Sequence, residues 1–206
     1  MCSKFQQDPN LPWYGKSLPV DGDTKIRVLF PGLELLMVKA GMAGPESVPG
    51  RWGLVPRWAK DLKIGRHTYN ARSETIHEKP AFKEAFKDPA RHCIIPADCF
   101  YEWGEVEGKK AQLKISRSDK KQLYFAGLWE EHAGLKIRSA TIITTTPSRQ
   151  LEPVHDRMPV ILEESELGAW LVSGPEKALL RPWEKPLNIV AELAQNKPKW
   201  QLDLGV

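Results

Sequence analysis

The sequence predicts an α+β fold: a mainly antiparallel, barrel-like β-sheet with a few peripheral helices. Three observations predict it. Seven short runs are rich in β-branched and aromatic residues and end in Gly, Pro or charged clusters. Seventeen prolines, spread through 206 residues, keep every element short. Only a few segments carry helical periodicity.

In chain order the expected strands are ELLMV at 34–38, RHCIIP at 91–96, CFYEW at 99–103, AQLKIS at 111–116, LYFAGLW at 123–129, SATIITTT at 139–146 and MPVIL at 158–162. EGKK at 107–110 and RSDKK at 117–121 read as the turns of a meander. In PAFKEAFKD, Phe82, Ala85 and Phe86 fall at i, i+3 and i+4 behind Pro80, which suits a first helical turn. EESELGAWLV puts Leu167, Trp170 and Leu171 on one stripe in the same way. GPEKALLRPW reads as a short third helix that Pro182 stops. With no internal repeat and no Gly/Ser linker, residues 1–206 read as one domain.

Composition is that of an ordinary soluble protein, 41% hydrophobic and 27% charged. No apolar run is long enough to cross a bilayer, and MCSKFQQDPNLPW lacks the order of a signal peptide, so the expected setting is the cytoplasm, with no membrane partner. Three cysteines, an odd number, argue against a disulfide framework. Cys93 and Cys99 have five residues between them in CIIPADC, which is not zinc-ligand or redox spacing; both read as small core hydrophobes. The net charge of +4 fits either a solvated surface or nucleic-acid binding. Eight tryptophans, several beside Lys or Arg as in RWGLVPRWAK, RPWEK and KPKW, suit stacked bases and paired phosphates, and equally suit a core.

Four segments carry candidate chemistry. Cys2 directly follows the initiator methionine, where nothing upstream can bury it. It is either an incidental terminal residue or, once Met1 is removed, a 1,2-aminothiol able to condense with an aldehyde and close to a thiazolidine. In YNARSET, Asn70 and Arg72 share a face if the segment is extended: an amide that donates and accepts, and a fork suited to phosphate, unless the segment is a plain polar loop. In FYEW, alternation sets Phe100 and Glu102 on one face, Tyr101 and Trp103 on the other. Glu102 among aromatics reads as a desolvated general acid, or else as a strand glutamate on a wet face. VHDRMPVIL offers His155 as a proton shuttle or a structural histidine, with Arg157 on its face.

Taken together, the initial MC, WGLVPRWAKD, NARSET, AFKEAFK, RHCIIPADCFYEW and HDRMPVIL resemble the SOS response-associated peptidase (SRAP) family across roughly residues 1–172. The resemblance implies the SRAP fold and a guardian of abasic sites in single-stranded DNA. By resemblance the chain loses Met1 in a self-processing step, and the aldehyde of the ring-opened sugar is captured by Cys2 as a thiazolidine crosslink. An α-amine is only roughly 10–20% neutral at pH 7, so the site must help it attack. The resemblance assigns Asn70 to hold the amine and sugar, Glu102 to open the sugar ring and transfer protons, and His155 to move protons on the Schiff base. It makes Arg72 and Arg157 phosphate-gripping and Trp58 a base-stacking residue. No metal or organic cofactor is needed, because the aminothiol supplies both nucleophiles. A monomer, nucleoid-associated when bound to DNA, is expected.

Two departures stand out. The family opens Met-Cys-Gly-Arg, whereas Ser3 and Lys4 follow here; lysine keeps the DNA-binding charge and loses the bidentate grip. Val28 in RVLFPG occupies the place of a family asparagine, while Pro31 and Gly32 remain. Two rival classes stay open. A thiol peptidase acting in trans would use Cys2 as nucleophile and His155 as base. A non-covalent single-stranded DNA-binding module would use Trp58, Arg72, Arg157 and scattered lysines, with steep salt dependence.

Overall fold

The computed structural model describes residues 2–8, 26–173 and 177–192. Twelve strands follow in order: β1 Phe5–Gln7, β2 Arg27–Leu29, β3 Glu34–Gly41, β4 Gly44–Trp52, β5 Asn70–Arg72, β6 His92–Ala97, β7 Cys99–Val106, β8 Lys109–Arg117, β9 Leu123–His132, β10 Ile137–Thr145, β11 Met158–Pro159 and β12 Leu187–Glu192. Two short helices accompany them, α1 Lys83–Lys87 and α2 Leu167–Val172. Among the described residues no helix is long and apolar enough to cross a membrane.

Strands β10, β4, β3, β6 and β9 hydrogen-bond in that order, and β9 pairs back onto β10, so five strands close into a barrel. All its pairs are antiparallel except β4–β10, which meet only at Arg51 and Trp52. β5 adds to β10 in parallel, setting Asn70 beside Ile142 and Arg72 beside Thr144. A second, antiparallel sheet runs β12–β8–β7–β1–β2. It packs on the barrel through a shared core in which Phe5 lies edge-on to Trp52 at 4.9 Å and Phe100 edge-on to Phe125 at 6.0 Å.

The helical stripes hold as expected. Phe82, Ala85 and Phe86, with Leu167, Trp170 and Leu171, are buried in a second core against Ile94, Leu128 and Ile143 on the barrel's outer side. Trp170 stacks on the buried His92 ring at 4.4 Å and donates its indole N–H to the Cys93 carbonyl. Cys93 and Cys99 are buried, as core residues should be. GPEKALLRPW yields only a 3-10 turn, Lys177–Leu179; its first three residues, and Trp200 of KPKW, lie outside the described residues.

Five strands, β1, β2, β4, β5 and β12, are not among the expected runs, and one expected run differs in extent. The run MPVIL pairs as a strand only at Met158 and Pro159, because the chain then leaves β10 and touches β9 through a single Ile161–Phe125 bridge. β4, unforeseen, contains Pro45 and Pro49. Both lie on the side of β4 that faces β10 only at its last two residues, so their missing N–H groups break no ladder. Before β3, Leu33 N–H bonds back to Phe30 O across Pro31 and Gly32, and Gly32 takes φ +95°, which glycine adopts without strain.

Candidate active site

Residue 2 lies inside the molecule. Cys2 is fully buried and belongs to the core with Phe5 and Phe100; with nothing upstream to bury it, residues later in the chain do so. Its carbonyl oxygen accepts a 2.7 Å hydrogen bond from Asn70 Nδ2, and its thiol points toward Lys4 O at 3.9 Å. Burial pushes the thiol far above its ordinary value, and the charge of nearby Glu102 pushes it further. Asn70 reaches this position because β5 lies in register on β10; its Oδ1 is buried and accepts no hydrogen bond among the described residues.

Glu102 comes from β7 with the alternation expected. Phe100 and Glu102 share one face and Tyr101 and Trp103 the other, where Tyr101 is buried under Lys4 and Trp103 is more than half exposed. Glu102 is 6% exposed, so the wet-face alternative does not hold. Burial raises its pKa to about 7, with the Asp156 carboxylate acting in the same direction. Its Oε2 lies 3.8 Å from His155 Nε2. On the other side of that ring, Nδ1 accepts the Arg157 backbone N–H at 3.0 Å and lies 2.8 Å from Asp156 Oδ1. A neutral ring accepting from Arg157 carries its proton on Nε2, toward Glu102; an imidazolium donates from Nδ1 to Asp156. Burial lowers the His155 pKa from its ordinary value against the pull of Asp156, favouring the neutral ring.

The expected cations divide. Arg72 is exposed beside the site, one pleat along from Asn70. Arg157 is 7% exposed, and its guanidinium is bidentate to Glu74 at 2.8 and 2.9 Å with a further donation to Thr144 O at 2.7 Å. Its charge is thus held internally, where an open phosphate ligand was expected. Lys4 is also mostly enclosed: its ammonium sits 3.9 Å above the Tyr101 ring and donates to Gln112 Oε1. Trp58 stands 60% exposed at the tip of a turn. Val28, half exposed on β2 opposite Gln6, offers no polar group where the family pattern has one.

Sequence reasoning gave no role to Glu74 or Asp156, although both lie in the quoted segments. Glu74 follows Arg72 by two residues, and through Arg157 it ties the loop of His155 to the strand of Asn70. Arg72 helps hold the Glu74 carboxyl below its ordinary pKa, after the dominant hydrogen bond from Arg157.

The fold is that of a small α+β protein, a closed five-strand barrel with a second antiparallel sheet packed on it, in which residue 2 is buried and held by the Asn70 amide. Residues 25–195 match the SOS response associated peptidase (SRAP) family, and the chain belongs to it. Asn70, Glu102 and His155 lie in the matched span; Cys2 and Lys4 precede it. The chain is 47% identical over 125 residues to abasic site processing protein YoaM of Bacillus subtilis, covering 59% of this chain and 54% of that one. It is 35% identical over 160 residues to abasic site processing protein HMCES of Mus musculus, covering 62% and 45%. Each match thus spans about half of the relative's own length. A crystal structure of a protein from Bordetella bronchiseptica superposes with a TM-score of 0.79 at 28% identity, over 93% of this chain and all of that one.

Proposed function

We propose that this protein recognises abasic sites in single-stranded DNA and captures them covalently through Cys2 after Met1 is lost. The observation that carries the reading is the pinning of residue 2 by Asn70 beside Glu102 and His155. The printed function of its relatives, abasic site processing, supports the substrate.

Each group then has a step. The α-amine of Cys2 adds to the sugar aldehyde, and Asn70 Oδ1 is the buried acceptor that orients it. Glu102, half protonated near pH 7, donates a proton as the carbinolamine hydroxyl leaves as water. The resulting iminium carbon is attacked by the Cys2 sulfur, whose proton passes to the Glu102–His155 pair, and a five-membered thiazolidine closes. Water is the only product released. A protonated thiol suits this order, because sulfur enters second and a base stands beside it. The same raised thiol pKa counts against a peptidase that needs a standing thiolate. Exposed Trp58 and Arg72 supply base stacking and a phosphate contact.

The test is a variant with one glycine inserted between Met1 and Cys2. It keeps the thiol and removes the α-amine from the cysteine. Loss of a heat-stable adduct with abasic single-stranded DNA, read by intact mass spectrometry, is the expected result. An undiminished adduct overturns the aminothiol chemistry.

A further inference from the structure

The segment carrying Trp58 is fastened at every second residue. Gly53 N–H bonds to Ala140 O at 2.8 Å, and Val55 N–H to Ser139 Oγ at 2.8 Å. Arg57 Nε donates to Glu130 Oε2 at 3.0 Å, and the Ala59 carbonyl faces His132 Nε2 at 2.9 Å. Ser139 and Glu130 are direct cross-strand partners on β10 and β9, and His132 follows Glu130 by one pleat. One face of this ribbon therefore grips residues 55, 57 and 59, while the tight turn closed by Ala59 N–H on Pro56 O carries Trp58 outward.

Of these three side chains, Glu130 and His132 are themselves fixed. Glu130 is buried and takes a second arginine, Arg91 Nη1, on Oε1 at 2.7 Å. His132 Nδ1 accepts the Leu135 N–H at 3.1 Å, so the ring proton sits on Nε2 and is donated to Ala59 O. A large aromatic left 60% exposed gains nothing for the core from being held this firmly. A stacking platform does, because rigidity before binding removes an ordering cost at binding.

We propose that Glu130 and His132 are positioning residues that preorganise Trp58 as a platform for an unpaired base. The inference rests on the reading that Trp58 stacks on DNA, and the experiment separates the two. Binding of an undamaged thymidine oligonucleotide is measured at one fixed salt concentration for wild type, Trp58→Ala, His132→Ala, His132→Gln and the Trp58→Ala/His132→Ala pair. Trp58→Ala weakens binding roughly tenfold or more. His132→Ala weakens it about three- to tenfold. His132→Gln, which retains an N–H donor, recovers most of that loss, and His132→Ala adds nothing once Trp58 is gone. Glu130→Gln, which weakens the charge-assisted grip on Arg57, follows His132→Ala in direction.

A Trp58→Ala effect with His132→Ala at wild-type affinity, or with fully additive losses in the pair, overturns the positioning role alone. Unchanged affinity in Trp58→Ala overturns the stacking reading and the platform with it. Should His132→Ala fail to fold, Glu130→Gln and the Trp58→Ala/Glu130→Gln pair supply the same cycle.

Discussion

The side-chain amide of Asn70 holds the backbone carbonyl of Cys2 at 2.7 Å, across 68 positions of sequence. Together with the Tyr101 N–H bond to Lys4 O at 2.9 Å and the packing of Phe5, this bond holds the segment inside the protein, where the charge of Glu102 reaches the thiol. A terminus otherwise frays, so its retention needs a specific partner.

Asn70→Asp replaces the donor with a carboxylate facing a carbonyl. Crosslinking to abasic single-stranded DNA is expected to slow by roughly 10²-fold, because misplacement of the reacting groups by about 1 Å has that scale of effect. Single-turnover gel kinetics measure it. An unchanged rate would remove Asn70 from the site.

In the proposed mechanism Glu102 serves as an acid only while protonated, and the amine attacks only while neutral. With Glu102 near 7 and an α-amine at about 7.7–8.0, the rate should pass through a maximum between the two and fall on both sides. Glu102→Gln is expected to be about 10²-fold slower and to lose the alkaline fall, keeping only the acid limb. A variant profile with both limbs intact contradicts the assignment.

The same group makes a stability prediction of definite sign. Its folded pKa is raised from 4.5 to about 7, so ionising it in the folded protein is unfavourable. Stability present below pH 4.5 is lost as pH rises through about 7. Glu102→Gln should therefore be more stable than wild type at pH 8 by about 2–3 kcal/mol, with the difference vanishing near pH 4. Urea melts at the two pH values decide it.

Much of this architecture is legible in the sequence, and the exceptions have physical causes. β6 and β9 are apolar runs between clear turns, β8 alternates as a half-buried strand does, and the α1 and α2 stripes pack as their spacing predicts. β4 is hidden because Pro45 and Pro49 read as breakers, although both lie on an unpaired side. Glu102 is legible from alternation along FYEW. The internal capture of Arg157 by Glu74 is not, since sequence gives a side chain's charge and not its partner. The same holds for Glu130 and His132, whose role depends on β9 lying under a loop more than seventy residues earlier.

Glu74 links the Asn70 strand to the His155 loop through Arg157. Glu74→Gln should lower stability by about 1 kcal/mol at pH 7, a modest figure because the carboxylate is nearly half exposed. Its lowered pKa sets the sign: the contribution is present above pH 4.5 and disappears as pH falls below it. Crosslinking should slow with it, because the loop that carries His155 loses its ion pair to the Asn70 strand.

Gly53 has φ +125°, and a Cβ there would stand 2.4 Å from Gly65 O. Gly53→Ala is expected to destabilise the fold by about 2–4 kcal/mol and to lift the segment that carries Trp58. Thermal melting and oligonucleotide binding report the two effects separately.

The most direct measurement compares wild type, matured at its N-terminus, with Cys2→Ala on single-stranded DNA bearing one abasic site. Products are resolved on a denaturing gel after heating in detergent. The expected result is a slow-migrating band for wild type on abasic DNA alone, and none for Cys2→Ala or for intact DNA. Equal bands from both proteins, or no band from matured wild type, would contradict covalent capture by Cys2.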